Sequence, residues 1–188
     1  MDISYIVSAC CRPSHLACCL FSIKAQTHRD YEVIVTNNGQ THEERQATSE
    51  VVVSLYDHRF RILEGQWPQC YYSSEDGARI AVGEYLCFPS DDSYYVPFFA
   101  ERMLASNADI IASDQAYSSI KNHPAYYVMN TSPVIGGIDK TGFLVRRSLF
   151  NGFPNKEIGE TSDGEMIVSL VAAGATWLRI NEVLSVHN

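Results

Sequence analysis

The sequence predicts an α/β fold in which helices flank a mostly parallel central sheet. Short apolar, β-branched runs alternate with helix-like segments of about 8–15 residues through the first half of the chain. Strands and helices that alternate in this way indicate βαβ units, whose consecutive strands run parallel. Hydrophobic residues make up 46% of the 188 residues and charged residues 19%, which excludes a disordered chain and a coiled coil.

The first unit begins with a strand at residues 3–7, a β-branched run of the kind that lies buried in a sheet. Arg12 and Pro13 break this strand, and Ser14 is expected to cap the helix that follows. We predict that this helix reaches about residue 25, because its apolar residues recur at helical spacing. These residues are Leu16, Leu20, Phe21 and Ile23.

The second unit repeats the pattern. Residues 31–35 predict a strand, which ends at the turn signal of two asparagines and a glycine at positions 37–39. Thr41 and Glu44 have the spacing of a capping box, so a helix is predicted over residues 41–56.

Three further strands and two helices complete the regular part of the chain. Strands are expected at residues 60–63, 85–88 and 108–112, because these runs are short and apolar. Helices are expected between them, at residues 76–82 and 96–105. The strand at residues 85–88 runs directly into a polar segment.

The remainder of the chain is less regular. Residues 117–137 are rich in Tyr, Ser, Asn and Pro, and we expect a long loop or a peripheral hairpin that shapes a site. A strand at residues 142–145 and a helix at residues 162–173 follow, with two short strands near residues 177–180 and 183–186. Neither a linker nor an internal repeat is visible, so the sequence predicts one domain.

Charge and composition restrict the partners and the compartment. With 14 Lys and Arg against 22 Asp and Glu, the net charge is −8, which argues against nucleic acid as a partner. No apolar stretch approaches the ~20 residues that span a bilayer, and the first residues lack the features of a secretory signal. We therefore expect a cytoplasmic protein without a transmembrane segment, whose six cysteines are reduced apolar side chains and not metal ligands.

Polar clusters follow three of the predicted strands. In an open α/β sheet, ligands bind beyond the carboxyl ends of the strands, so the three clusters are expected to meet at one site. The clusters are Cys10-Cys11-Arg12, Asn37-Asn38-Gly39 and Ser90-Asp91-Asp92.

Asp91 and Asp92 carry the strongest chemical signal. Two adjacent carboxylates repel each other unless a cation or hydrogen-bond donors neutralise them. Mg²⁺ and Mn²⁺ prefer such oxygen ligands, together with substrate phosphates. The alternative is a solvated acidic turn in which Asp92 or Ser93 caps the next helix. The position directly after a buried strand favours the metal site.

Asp163 is the second candidate. Ser162 and Glu165 have capping-box spacing, which would place Asp163 at the first position of a helix. At that position it is either a general base held on a rigid element or no more than a partner of the helix dipole. We expect the dipole to lower its pKa, so that it is ionised at neutral pH.

Other kinds of site lack their signatures. The glycine motifs of dinucleotide-binding and P-loop proteins do not occur, and neither does the G-x-S-x-G motif of hydrolases. The six histidines are scattered without metal-ligand spacing, and most are expected at the surface.

Six segments, taken in order, resemble the family 2 glycosyltransferases of the GT-A fold. They are RP at 12–13, SIKAQT at 22–27, DYEVIV at 30–35, GEYLCFPSDDSYYVP at 83–97, TGFLVRRSLF at 141–150 and GETSDGEMIVSLVAAGA at 159–175. The resemblance implies a single GT-A domain over residues 1–188. Residues 1–115 would form its nucleotide-binding half and residues 116–188 its acceptor half.

The resemblance also implies a role for particular residues. Ala9 and Asn38 would line the nucleobase pocket, with Asn38 at a position where the family has Asp. Asp91 would lie near the ribose or the metal, Asp92 would ligate Mn²⁺ or Mg²⁺, and Asp163 would be the catalytic base. The implied reaction is a metal-dependent, inverting transfer from a nucleoside diphosphate sugar to a hydroxyl of a glycan or another acceptor. A uridine-type donor is favoured.

Two alternatives stay open. A catalytically degenerate domain that binds sugar nucleotides or acts as a scaffold is consistent with Asn37, Asn38 and Ser90, which replace acidic residues of the family. A nucleotidyltransferase also uses a nucleotide, a metal and carboxylates. It would normally have a glycine-rich, basic phosphate loop after the first strand, whereas this chain has SACCRPS there.

Overall fold

A computed structural model of the chain describes residues 1–118, 126–157, 159 and 161–188. In these residues a curled sheet of nine strands is flanked by helices, which confirms the predicted α/β fold. The strands are β1 (Ile3–Ala9), β2 (Tyr31–Asn37), β3 (Phe60–Glu64), β4 (Tyr85–Cys87), β5 (Ser93–Tyr95), β6 (Ile110–Tyr117), β7 (Tyr127–Met129), β8 (Phe143–Arg146) and β9 (Trp177–His187). The helices are α1 (Pro13–Lys24), α2 (His42–Ser54), α3 (Cys70–Ile80), α4 (Phe99–Leu104) and α5 (Ser162–Ala172), with 3₁₀ turns at Lys140–Gly142 and Arg147–Leu149.

The first four strands form a parallel half-sheet in the order β3-β2-β1-β4. Successive residues of β1 point to opposite faces. Tyr5 is buried in the core that includes α1, whereas Ile6 is buried in the core that includes α3 and α5. Because both faces of β1, β2 and β4 are covered, these three strands have mostly apolar sequences, from which the sequence analysis located them.

The second half of the sheet mixes strand directions. β8 is antiparallel to β4 and β6, and β9 is parallel to β6 but antiparallel to β5. The two strands predicted near 177–180 and 183–186 are one strand, β9, whose pairing with β6 shifts register around Asp114. Its pairing with β5 sets His187 opposite Ser93, directly after the acidic pair.

Two helices begin earlier than predicted. α1 begins at Pro13 with Arg12 as its N-cap, so the predicted Ser14 cap is wrong. Proline suits the first turn because that position needs no backbone N–H. α3 begins at Cys70 and not near residue 76.

The first turns of α3 were not predicted, because the buried face of the helix there consists of small polar residues. Ser73 and Ser74 are almost fully buried, and the Ser74 hydroxyl lies 3.2 Å from that of Ser8 on β1. A Cβ atom on Gly77 would lie 2.4 Å from Ile6 Cγ2. The close approach of α3 to β1 therefore needs small residues, which produce no apolar periodicity.

Of the two predicted capping boxes, one is confirmed and the other is wrong. In the capping box of α2, the Thr41 N–H donates to Glu44 Oε2 (3.1 Å) and the Glu44 N–H donates to Thr41 Oγ1 (3.2 Å). α5 instead has Thr161 at its N-cap, and the hydroxyl of Ser162 is buried without a hydrogen-bond partner. Asp163 is therefore at the second position of α5, not the first.

The polar segment at residues 117–137 contains a hairpin strand, because β7 pairs antiparallel with β6. Residues 119–125 of this prediction lie outside the described residues. The predicted helix at residues 96–105 is shorter, since β5 precedes it and α4 begins at Phe99. No helix within the described residues has both the length and the apolar character to cross a membrane.

Candidate active site

The carboxyl ends of β1, β2 and β4 meet at one edge of the sheet, as predicted. The Asn38 N–H donates to the Ala9 carbonyl (2.9 Å), and the Ser8 N–H donates to the Pro89 carbonyl (3.1 Å). A cavity of about 230 Å³ lies at this edge, and we call it the rim cavity. Ala9, Asn38 and Asp91, the three residues expected to contact the nucleotide, all line it.

The Asn38 side-chain amide makes two hydrogen bonds to the backbone of one residue, Trp67. Its Nδ2 donates to the Trp67 carbonyl (2.9 Å), and its Oδ1 accepts from the Trp67 N–H (3.0 Å). A carboxylate could accept but could not donate, so this pairing explains an amide at this position. Asn37 is also buried and donates to the Arg45 carbonyl and to Glu64. Asn37 therefore ties the end of β2 to α2 and β3, and Asn38 ties the edge of the rim cavity to the segment at Trp67.

Arg12 bridges the two carboxylates of the acidic pair. Its Nη1 lies 2.5 Å from Asp92 Oδ2, and its Nη2 contacts Asp91 Oδ1. The two aspartates are only 2% and 4% exposed, whereas the Arg12 side chain is 45% exposed. Burial raises the pKa of Asp91 above its ordinary value, and Arg12 offsets part of that rise. The alternative of a solvated acidic turn is therefore wrong.

The acidic pair offers a free carboxylate oxygen to a divalent cation. Asp92 Oδ1 is buried and has no hydrogen-bond partner, and His187 Nε2 lies 3.7 Å from it. Within the described ranges, no three His, Cys, Asp or Glu side chains are grouped as a self-sufficient metal site requires. Mg²⁺ and Mn²⁺ are often held by one or two carboxylates while substrate phosphates complete the coordination. The orphaned oxygen beside a second carboxylate fits a site of that kind.

Asp163 is 7% exposed at the start of α5. Its Oδ2 accepts from the Lys140 N–H (2.9 Å) and its Oδ1 from the Gly164 N–H (2.8 Å). Burial raises the pKa of Asp163 to about 6, and nearby Asp139 adds to the rise. The two N–H groups and the Lys140 ammonium offset only part of it. The expected lowering by the helix dipole is therefore wrong, because desolvation and a second carboxylate outweigh the donors.

His187 and Asp139 link the acidic pair to Asp163, and sequence reasoning missed both. His187 Nδ1 lies 3.0 Å from Asp139 Oδ2, and its side chain is only 18% exposed. Burial lowers the pKa of His187, but Asp139 and Asp92 raise it above its ordinary value. Burial raises the pKa of Asp139, yet His187 and Thr141 hold it below its ordinary value. Asp139 is the N-cap of the 3₁₀ turn at Lys140–Gly142 and His187 is the last residue of β9, so no local spacing links the two.

A second cavity, of about 390 Å³, opens beside Asp163. Its lining includes Tyr71, Tyr117, Tyr127, Asp139 and Asp163, and we call it the tyrosine cavity. The same Asp139 that contacts His187 therefore lines this cavity. The rim cavity, the acidic pair and the tyrosine cavity follow one another along a single path of side-chain contacts.

Comparison with known proteins identifies the family. Residues 4–156 match the family model described as Glycosyl transferase family 2. The chain belongs to glycosyl transferase family 2. The resemblance to this family is therefore confirmed, and five of the six segments lie within the matched residues.

Solved structures confirm the GT-A type of fold for this family 2 chain. The crystal structure of S. aureus TarS matches 100% of it with a TM-score of 0.74 at 16% identity. The mannosyltransferase PcManGT from Pyrobaculum calidifontis, solved with GDP-Man and Mn²⁺, matches 99% with a TM-score of 0.76 at 13% identity. Likeness at such low identity establishes the fold alone.

A curated relative is EpsH of Bacillus subtilis (strain 168), which is named as a glycosyltransferase. It is 24% identical over 107 residues, which are 57% of this chain and 30% of EpsH. This family 2 chain also covers only 37% of the TarS structure and 56% of the PcManGT structure. The chain thus spans less than two thirds of the length of these relatives.

Proposed function

We propose that this chain is an inverting glycosyltransferase that moves a sugar from a nucleoside diphosphate to an acceptor hydroxyl and uses Mn²⁺ or Mg²⁺. One observation supports this above the others: the buried acidic pair lies between a cavity at the strand ends and a buried carboxyl group with a pKa of about 6. In such a transfer, the nucleotide of the donor, its diphosphate and the acceptor hydroxyl must lie in that order. Holding them in this arrangement supplies much of the catalysis.

The rim cavity is the proposed nucleotide site. Ala9 and Asn38 would contact the base, and Asp91 would lie near the ribose or the metal. TarS has been solved with UDP and with UDP-GlcNAc, and PcManGT with GDP-Man, so these matched proteins bind sugar nucleotides of two bases. We favour a uridine-type donor. The nucleotide-binding half at residues 1–115, the acceptor half at 116–188 and the cytoplasmic location stay predictions from the sequence.

Asp92, with Asp91 beside it, would hold the cation. When bound, the ion would neutralise the charge that grows on the diphosphate leaving group. Arg12 supplies positive charge to the same two carboxylates in the structure. We therefore infer that Arg12 and the cation compete for the acidic pair.

Replacing Arg12 by glutamine is expected to tighten the binding of Mn²⁺ in the absence of nucleotide. The guanidinium then no longer occupies the carboxylates, and the dissociation constant should fall roughly 5- to 10-fold. Isothermal calorimetry measures it directly. Arg61→Gln is the matched control, because Arg61 is also 45% exposed and pairs with buried Glu32. Weaker Mn²⁺ binding by the Arg12 variant would contradict the competition.

Asp163 is the proposed general base. The N–H groups of Lys140 and Gly164 hold its two oxygens in place. The carboxylate would take the proton of the acceptor hydroxyl while that oxygen forms a bond to the anomeric carbon. The bond from that carbon to the diphosphate oxygen breaks on the opposite side, and this geometry inverts the configuration. A pKa of about 6 keeps the group ionised near neutral pH but more basic than an ordinary aspartate.

The pH dependence of transfer follows from this assignment. Asp163 must be ionised to accept a proton, so kcat/KM is expected to rise with pH through about 6 and to level off above it. A pH profile at saturating cation measures this rise. Donor binding should be followed over the same range as the control. A profile that is flat between about pH 5 and 7 while donor binding stays constant would contradict the assignment.

The function itself is tested by a thermal-shift screen of nucleotide sugars with Mn²⁺, Mg²⁺ or a chelator. A true donor at about 100 times its dissociation constant should stabilise the protein by about 2.7 kcal/mol, which raises Tm by roughly 5–10 °C. The shift should require the cation. Positive donors are then incubated with a mixture of acceptors, and release of the nucleoside diphosphate is measured.

Each alternative has its own result in this screen. Stabilisation without any consumption of donor would favour a degenerate sugar-nucleotide-binding domain. Pyrophosphate release from a nucleoside triphosphate and a sugar phosphate would favour a nucleotidyltransferase. The absence of stabilisation by every sugar nucleotide, with either cation, would contradict the proposed function.

A further inference from the structure

We propose that the tyrosine cavity binds an uncharged pyranose ring of the acceptor, so that the acceptor is a neutral glycoside. This inference rests on the proposed function, because it names the acceptor for the same site. Its support comes from the aromatic lining, the charge and the size of the cavity.

Three tyrosine rings provide the aromatic lining, and neighbouring side chains hold each of them. The ring centres of Tyr117 and Tyr127 are 5.6 Å apart with an angle of 60° between their planes. Tyr117 also packs edge-on against His187, with ring centres 5.2 Å apart. Tyr71 packs against Phe153 at 4.8 Å. Rings held in this way bind a flat ligand face with little loss of side-chain freedom.

A pyranose matches such a lining. Its ring carries C–H groups on its faces and hydroxyl groups around its edge, so a face can pack on an aromatic ring while the hydroxyls reach polar atoms. Tyr127 is 48% exposed, which leaves ring surface available for this contact. Asp163 lines the same cavity, so a hydroxyl of the bound ring would lie next to the proposed base.

The charge of the described lining disfavours anionic acceptors. Of the described residues that line the cavity, Asp139 and Asp163 are the charged ones, and both are acidic. Lys140 lies behind this lining, because it is only 5% exposed and its ammonium lies 5.5 Å from the centre of the Tyr71 ring. Against the described lining, a phosphate or carboxylate group would therefore face two carboxylates, whereas a sugar hydroxyl can donate hydrogen bonds to them.

Size agrees with a small rigid ligand. The cavity volume of about 390 Å³ lies within the range of about 300–1,000 Å³ that is usual for small-molecule sites. A cavity of this volume can hold one sugar ring with part of its aglycone.

The test measures binding, by saturation-transfer NMR, of methyl glucoside, methyl mannoside and methyl N-acetylglucosaminide. Methyl glucuronide is the matched anionic probe. The full chain is used with UDP and Mn²⁺ present, and UDP binding is measured by calorimetry on the same samples. We expect at least one neutral glycoside to bind, and the glucuronide to bind more weakly. Tyr127→Ala should weaken neutral-glycoside binding roughly 5- to 10-fold, whereas Tyr127→Phe should preserve it because the ring face makes the contact.

Tyr56→Ala is the control variant, because Tyr56 is 93% exposed and follows α2, remote from the cavity in the sheet order. If wild-type protein binds UDP but no neutral glycoside, or binds the glucuronide better, the acceptor inference is overturned and the proposed function is unaffected. An unchanged affinity in Tyr127→Ala would also overturn it. A protein that binds no nucleoside diphosphate with either cation would instead refute the proposed function.

Discussion

Replacing Asp92 by asparagine is expected to abolish the cation dependence of nucleoside diphosphate binding. The variant keeps the shape of the side chain but removes the charge from the oxygen that has no hydrogen-bond partner in the structure. Loss of a direct ligand should weaken Mn²⁺-dependent binding of UDP by more than about 100-fold, since even outer-shell changes cost about 10- to 100-fold. Calorimetry with UDP, in the presence of Mn²⁺ or of a chelator, measures the difference.

Asp30→Asn is the control for the loss of one negative charge. Asp30 is half-exposed, contacts the N-terminal ammonium, and precedes β2 at the end of the strand away from the rim cavity. It should bind UDP and Mn²⁺ as the unaltered chain does. If Mn²⁺ strengthened UDP binding equally in the Asp92 variant and in this control, Asp92 would not be the metal ligand.

Replacing Asp163 by asparagine is expected to remove transfer while donor binding persists. A positioned general base contributes about 10²- to 10⁴-fold to a rate, and an amide cannot take the proton. The initial rate should fall by that factor, while the dissociation constant of the donor stays within about twofold. Glu165→Gln is the control on the same helix, because Glu165 accepts from Thr161 Oγ1 outside the proposed chemistry. An Asp163→Asn variant with wild-type turnover would contradict the assignment.

The pH dependence of Tm provides a check that the Asp163→Asn variant is folded. The pKa of Asp163 rises from 3.8 to about 6 on folding, so the folded state binds this proton more tightly than the unfolded state does. Its ionisation therefore leaves stability unaffected below about pH 4 and destabilises the fold as pH rises through 6, by about 3 kcal/mol at most. An amide can accept only one of the two N–H groups that bond to Asp163, and this cost does not depend on pH. The difference in Tm between Asp163→Asn and wild type should therefore shift in favour of the variant as pH rises from about 4 to 6. A difference in Tm that stays constant from about pH 4 to 7 would contradict this balance.

Prediction of the fold succeeded where buried positions are occupied by apolar residues in a recognisable pattern. β1, β2 and β4 are covered on both faces, and their apolar runs located them to within a few residues. The capping box of Thr41 and Glu44 is local, so its sequence spacing was sufficient. α3 was predicted to start too late, because Ser73 and Ser74 are buried without being apolar.

Prediction of the site succeeded for the clusters that follow strands. Parallel strands place their carboxyl ends at one edge, so the convergence of Ala9, Asn38 and Asp91 on one cavity could be foreseen. The contact of His187 with Asp139 could not, because it depends on the antiparallel pairing of β9 with β5. The roles assigned to these residues stay predictions.

The sequence by itself determined the alternation of strands and helices and the family. It also determined that Asp91 and Asp92 follow a strand and that Asp163 lies at the start of a helix, because these features follow from local spacing. Only the tertiary structure decided how those carboxylates are neutralised. Arg12 reaches the acidic pair across about 80 positions of the chain, and Asp139 and burial reverse the expected pKa shift of Asp163. The physical reason is that electrostatic interactions depend on distance and on exclusion of water in space, and neither quantity is written in the spacing of residues along the chain.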